Sequence, residues 1–158
     1  MAFANERHHD EIARFMLPSG FFGVVQFRQP SVGATENILM AASLARGESV
    51  IVNAAREPEI VDLAHCLRAL GAVIEGEGAS EIRVQGQPRL HAGTHRIMAD
   101  RIEAGTYAMA AAITGGEIEL RNATLDMLGA AQETLENAGV SLRQTDRGFV
   151  AGRANGTL

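Results

Sequence analysis

Residues 30–62 read PSVGATENILMAASLARGESVIVNAAREPEIVD, and this stretch decides how the chain folds. Ser31, Val32 and Gly33 stand just before an apolar run from Ile38 to Leu44. That order predicts a helix over Gly33–Ala45, with Gly47 as its C-terminal glycine. Three small-residue amides at a helix start favour an anion, through free N–H groups and the helix dipole. A serine in this position also serves as a plain cap. The β-branched run Ser49–Val52 predicts a strand. Glu59–Leu70 predicts a second helix, with Ile60, Leu63, Leu67 and Leu70 on its apolar face and Gly71 at its end. Before the stretch, Phe22–Phe27 reads as a strand. After it, Ala72–Ile74 and Ile82–Val84 read as a hairpin around Gly76, Glu77 and Gly78. Cys66 lies beside the apolar stripe of the second helix, as expected of a small buried thiol rather than a nucleophile.

The same order then recurs. Gly47, Glu48, Asn53 and Ala54 match Gly116, Glu117, Asn122 and Ala123, each 69 positions later. With a slip of one, Leu67 and Gly71 match Leu135 and Gly139. LARGESVIVNA thus answers AITGGEIELRNA, and LRALGAVI answers LENAGVSL. The chain is a duplication, with two helices and three or four strands per copy. Two copies are too few for a solenoid, so a closed or paired α/β assembly is expected. The division is 1–20 as an unmatched segment, 21–98 as the first copy and 99–158 as the second. The first helix of the second copy, Glu103–Ile113, is apolar on nearly every side, and such a helix is expected to be buried all round.

The 158 residues, 46% hydrophobic, suit one domain or two small lobes. The net charge of -5 and the lack of a basic block argue against nucleic acid. The apolar runs are too short for a bilayer, so no membrane partner is expected. The single cysteine fits a reducing cytoplasm. In the first twenty residues, charges rule out a secretory signal. Asn5–Met16 fits a short helix, ended by Pro18, Ser19 and Gly20. His8, His9 and Asp10 lack the further ligand that a metal site needs, so neither metal nor cofactor is expected.

SVGATEN followed by NAAREPEIVD closely resembles the bacterial UDP-N-acetylglucosamine enolpyruvyl transferases, which are EPSP synthase-like. HRIMADRIEAGTYAMAAAITGGEIELRNA looks like that family's segment joining two lobes, with a hinge near Ile97–Asp100. The resemblance runs from about Gly23 to Leu158. It implies an α/β fold of βαβαββ units, three per lobe, arranged as an inside-out barrel with buried helices and outer sheets. It also implies transfer of enolpyruvate from phosphoenolpyruvate to the sugar 3-hydroxyl, the first committed step of peptidoglycan synthesis. By resemblance, Ser31, Val32 and Gly33 contact the uridine diphosphate end of the substrate, and Glu57, Asp100 and Glu103 line the cleft between lobes. Read from the residues alone, Glu57 and Glu59 complement a helix dipole, and Asp100 with Glu103 forms a capping box.

Family enzymes are more than twice this length. Their catalytic loop, with a cysteine or aspartate acid, would precede residue 21, and nothing like it is present. The cations that clamp phosphoenolpyruvate and the aspartate that takes the sugar proton belong to other segments. Gln29 and Pro30 stand where a basic residue often precedes the serine, with Arg28 as a substitute. The chain is therefore expected to be a piece of such an enzyme, inactive alone, with no catalytic residue of its own and with weak or lost UDP-N-acetylglucosamine binding. The other readings are an anion-binding module or a structural, oligomerising one. Incomplete cover over Glu103–Ile113 leads to an expected homo-oligomer, most simply a dimer, with Tyr107, Met109 or Ile113 near its interface.

Overall fold

The computed structural model describes residues 23–154. The expected helix Asn5–Met16, the histidine pair and the start of the first strand lie outside the described residues. The chain divides into two compact units, with the boundary between Ile97 and Met98.

The first unit begins with β1 (Val24–Gln26), α1 (Val32–Ala42) and β2 (Glu48–Val52). It continues with α2 (Pro58–Ala69), β3 (Val73–Glu75) and β4 (Glu81–Gln85). The order is βαβαββ. The sheet runs β1-β2-β4-β3, with β1 parallel to β2 and the other pairs antiparallel. Alternation in β2 and β4 turns Ile51, Ile82 and Val84 to one face, where Leu39 of α1 and Ile60 of α2 meet them. All five are fully buried. At about 1.5–3 kcal/mol for each aliphatic side chain, this cluster is the main stabilising element of the unit.

Element ends follow local chemistry. The first helix starts one residue earlier than expected, because Ser31 is its N-cap. It ends at Ala42 rather than Ala45, so Gly47 is not its terminator; at φ 91° Gly47 turns the chain into β2 instead. Pro58 opens α2, where a missing N–H costs nothing. Gly71, at φ 97°, closes α2, with the amides of Gly71 and Ala72 bonded to the carbonyls of Arg68 and Leu67. Cys66 is half-buried rather than buried, because it sits at the margin of the stripe.

The second unit has α3 (Arg101–Thr114), β5 (Glu117–Arg121), a short 3₁₀ turn (Leu125–Leu128), α4 (Ala130–Asn137), β6 (Val140–Thr145) and β7 (Gly148–Arg153). Its antiparallel sheet runs β5-β7-β6. The repeat is visible in the backbone. Asn53 and Asn122 both take φ 60°, a conformation asparagine tolerates better than most residues. The caps Ser31 and Asp100, the buried pair Ala54 and Ala123, and the strands β2 and β5 keep the same 69-residue offset.

One element differs between the copies. Among the described residues, the second has no strand corresponding to β1, so β5 is an edge. The offset would place that strand at 93–95, but this segment packs on the first unit. The amides of Gly86 and Gln87 bond the carbonyls of Gly47 and Ser43 at 2.9 Å each, and His91 N bonds Leu70 O at 2.8 Å. Leu90 packs against the first core, and His95 Nε2 lies 3.0 Å from Asp62 Oδ1. A side chain at Gly86 or Gly93 would run into the carbonyl of Ala45 or Ala69, so only glycine lets this strap lie so close.

The expectation for Glu103–Ile113 is corrected. Only Ala104, Ala108 and Ala112 of α3 are buried, a stripe at helical spacing facing β5, β6 and β7. Ile102, Tyr107, Met109 and Ile113 are exposed, Ile113 at 68%. A helix can be apolar all round while a three-stranded sheet covers one side of it. Among the described residues, Phe149 of β7 is the one large side chain of this core that is fully buried.

Candidate functional site

Strands β1 and β2 run parallel, and each is followed by a helix, so both helix starts lie beyond the carboxyl ends of the strands. Ligands of open α/β sheets bind on that side. Ser31 is extended, at φ -139° and ψ 120°. Its Oγ accepts the Ala34 amide at 3.4 Å, and its carbonyl accepts the Thr35 amide at 2.9 Å. The amides of Val32 and Gly33 precede the helical ladder. Ser31 and Gly33 are exposed and Val32 is half-buried.

Gly33 is the informative residue. A helical glycine costs about 1 kcal/mol relative to alanine. Here a Cβ would meet nothing within 4 Å, and the residue has no positive φ. The fold gives no reason for glycine at this position.

The second part of the site is the loop from Asn53 to Glu57. The Asn53 amide side chain donates to Phe27 O at 3.1 Å. Ala54 N bonds Ser80 O at 3.0 Å, and Ala55 N bonds Thr35 Oγ1 at 3.0 Å. Thr35 Oγ1 in turn donates to Ser31 O at 2.7 Å. One buried hydroxyl thus joins the Ser31–Gly33 start to the loop that carries Glu57. Glu57 is the N-cap residue of α2 and makes no side-chain capping bond; its carboxylate accepts the Arg56 amide at 2.8 Å.

Asp100 and Glu103 belong to the second unit, in the first turn of α3. Asp100 Oδ1 accepts the amides of Ile102 and Glu103 at 2.8 and 3.0 Å, and both acidic residues are exposed. Asp100 therefore does the work of a helix cap, as Ser31 does in the first copy. Through Thr35 the structure ties the Ser31 carbonyl to Ala55, two residues before Glu57, and it places Asp100 beside Glu103.

Thr35 escaped the sequence reading. Its position four residues after Ser31 signals a bond to the Ser31 carbonyl. Nothing in the sequence signals Ala55 as the second partner.

The charge features lie elsewhere. Arg68 of α2 binds Glu77 of the β3–β4 turn through both terminal guanidinium nitrogens, with Nη2 to Oε2 at 2.7 Å. That hydrogen bond holds the Glu77 carboxyl below its usual range, against the opposing effect of burial. A polar recess of 380 Å³ in the second unit is lined by Gly115, Gly116, Glu117, Ser141, Gly152 and Arg153. Arg153 donates there to the α3 carbonyls of Ala112 and Ile113, so it serves as a C-terminal cap. Among the described residues, no group of three or more His, Cys, Asp or Glu could hold a metal ion. Among the same residues, no helix is long and apolar enough to cross a membrane.

Similarity to known proteins points one way. The chain is 56% identical over 142 residues to the UDP-N-acetylglucosamine 1-carboxyvinyltransferase of Ruegeria pomeroyi, covering 89% of this chain and 34% of that protein. It is 59% identical over 142 residues to the enzyme of the same name from Dinoroseobacter shibae, with the same coverage. The chain spans about a third of the length of these relatives. Among solved structures, the enolpyruvyl transferase NikO from Streptomyces tendae superimposes with a TM-score of 0.72 at 20% identity, over 93% of this chain and 41% of that one. EPSP synthase from Acinetobacter baumannii gives 0.55 at 21% identity, over 86% and 32%. These two likenesses bear on the fold. Residues 23–157 match the family described as EPSP synthase (3-phosphoshikimate 1-carboxyvinyltransferase), and the chain belongs to that family.

Proposed function

We propose that this chain carries part of the sugar-nucleotide site of a UDP-N-acetylglucosamine 1-carboxyvinyltransferase, an enzyme of peptidoglycan synthesis in the cytoplasm. The observation that carries the proposal is Gly33, a glycine inside a helix start that the fold itself does not require. With Ser31 and Val32 it offers backbone amides and helix-dipole charge to a diphosphate. Glu57 supplies an acceptor for sugar or base N–H and O–H groups; in the second unit, Asp100 and Glu103 are taken separately as acceptors of the same kind. Enolpyruvyl transfer also needs an acid–base pair and cations at a phosphate. No residue of the described site is assigned to either role, and binding without turnover is proposed for this polypeptide alone.

A second copy of the chain is the proposed partner. The exposed face of α3, with Ile102, Tyr107, Met109 and Ile113, adjoins a unit whose β5 edge is unpaired among the described residues. Packing against an identical face would cover both copies at once.

Calorimetric titration with UDP-N-acetylglucosamine, with the solution mass read on the same sample, tests both proposals. Weak binding, at about millimolar affinity, is expected, together with its loss in Gly33→Asp. A mass twice that of the 16.8 kDa chain is expected for the dimer. Equal binding by the two proteins rejects the site, and a clean monomer that binds no hydrophobic dye rejects the dimer.

A further inference from the structure

We infer that Thr35 is a positioning residue of this site, an inference that rests on the sugar-nucleotide reading above. Its hydroxyl fixes the Asn53–Glu57 loop to the start of α1, so that the two helix starts meet a diphosphate sugar as one surface.

Thr35 is fully buried, and its single hydroxyl is used in both directions. It donates to Ser31 O at 2.7 Å and accepts from Ala55 N at 3.0 Å. The first bond is the ordinary back-bond of a helical threonine and is purely local. The second reaches across 20 residues to a backbone amide in a fully buried alanine. If the hydroxyl is removed, that amide is buried without an acceptor, and the loop must shift to find one. Glu57 lies two residues further along, so its carboxylate moves with the loop.

The second copy supplies the control. At the 69-residue offset, Thr35 corresponds to Ala104, which is buried on the same face of its helix. An alanine therefore satisfies the packing of this architecture. In that copy, the loop after β5 is held another way: Leu125 N bonds Gln144 Oε1 at 2.9 Å, from the neighbouring hairpin. The threonine tether belongs to the copy that has the Ser31–Gly33 start. What it adds beyond packing is a fixed relation between that start and the Glu57 loop.

The test compares wild type, Thr35→Val, Thr35→Ser and Gly33→Asp in titrations with UDP-N-acetylglucosamine, alongside amide exchange without ligand. Thr35→Val keeps the shape and removes the hydroxyl. It should weaken binding about tenfold and speed exchange at Ala55, while amides of the core strands stay protected. Thr35→Ser keeps the hydroxyl and should bind within about threefold of wild type, a rescue that a purely packing role would not give. If Thr35→Val fails to fold, Thr35→Ala replaces it, since the second copy folds with alanine at this position. Wild-type affinity in the hydroxyl-free variant, with loss in Gly33→Asp, overturns the inference and leaves the site standing. Wild-type affinity in Gly33→Asp, or no binding by wild type, overturns the site reading. Unchanged Ala55 exchange in the hydroxyl-free variant overturns the tether whatever the ligand does.

Discussion

Positions 39 and 108 are one place in a repeated design, and both are fully buried, yet one holds leucine and the other alanine. The difference extends through both units. The first closes a core of Leu39, Ile51, Ile60, Ile82 and Val84 under four strands. The second sets an alanine stripe on three strands, and only Phe149 there is both large and fully buried. The two copies agree at their caps, glycine-type turns and strand positions, which the backbone dictates. They disagree in side-chain volume, which a neighbouring surface can compensate. Backbone demands are local and have few solutions, so they outlast the duplication.

If the second core rests on one large side chain, removing it should do the most damage. Phe149→Ala is expected to cost about 3–5 kcal/mol, against about 3 for Ile82→Ala, because the first core has several large neighbours to share the loss. Tyr107 is the only tyrosine and lies in the second unit, so its fluorescence reports on that unit alone. In Phe149→Ala its transition should fall below the far-ultraviolet dichroism transition, to which both units contribute comparable helix and strand. Coincident transitions in both variants would break the contrast between the cores.

The claimed identity of the backbones is sharpened at the two asparagines. Asn53→Ala and Asn122→Ala should each cost about 1–2 kcal/mol, since both residues sit at φ 60°. Glycine at either position should recover part of that. A neutral Asn122→Ala in urea unfolding would mean that the correspondence with Asn53 is one of sequence only.

The smallest expected effect belongs to the first unit. Its Arg68–Glu77 pair has Glu136 at the arginine's place in the second copy, given the one-residue slip. The Glu77 carboxyl is depressed in the folded state, chiefly by the hydrogen bond from Arg68. Its contribution is therefore complete above the unfolded carboxylate pKa of about 4.3 and is lost as pH falls through the lower folded value. Glu77→Gln should cost at most about 1 kcal/mol at neutral pH. The gap from wild type should close in strongly acid solution; a gap independent of pH would show that the carboxylate charge is not what matters.

Much of this was legible in the sequence because helix starts, turn residues and strand alternation are written in short range. The order of elements in the first unit, the turn at Gly71 and the 69-residue offset could all be read there. Two features could not. The exposed face of α3 depends on how many strands surround it, and Ile113 reads the same whether covered or bare. The absence of a second β1-like strand among the described residues depends on the strap preferring the first unit, through bonds to the carbonyls of Gly47, Ser43 and Leu70 that no local pattern announces. At the site, Ser31–Gly33 and Glu57 stood out as helix-start chemistry. Thr35 did not, because its decisive partner is 20 residues away in an unpatterned alanine loop.

The strap also changes the polymer physics of the chain. Residues 86–95 have no helix or strand, and by composition they would pass for a flexible linker. Held at Gly47, Ser43, Leu70 and Asp62, they contribute almost no contour length to a random walk. Only a few residues separate the last of these anchors, His95, from the boundary at Ile97 and Met98. Lengthening the sequence inside the strap would add no free contour length until one of these anchors let go.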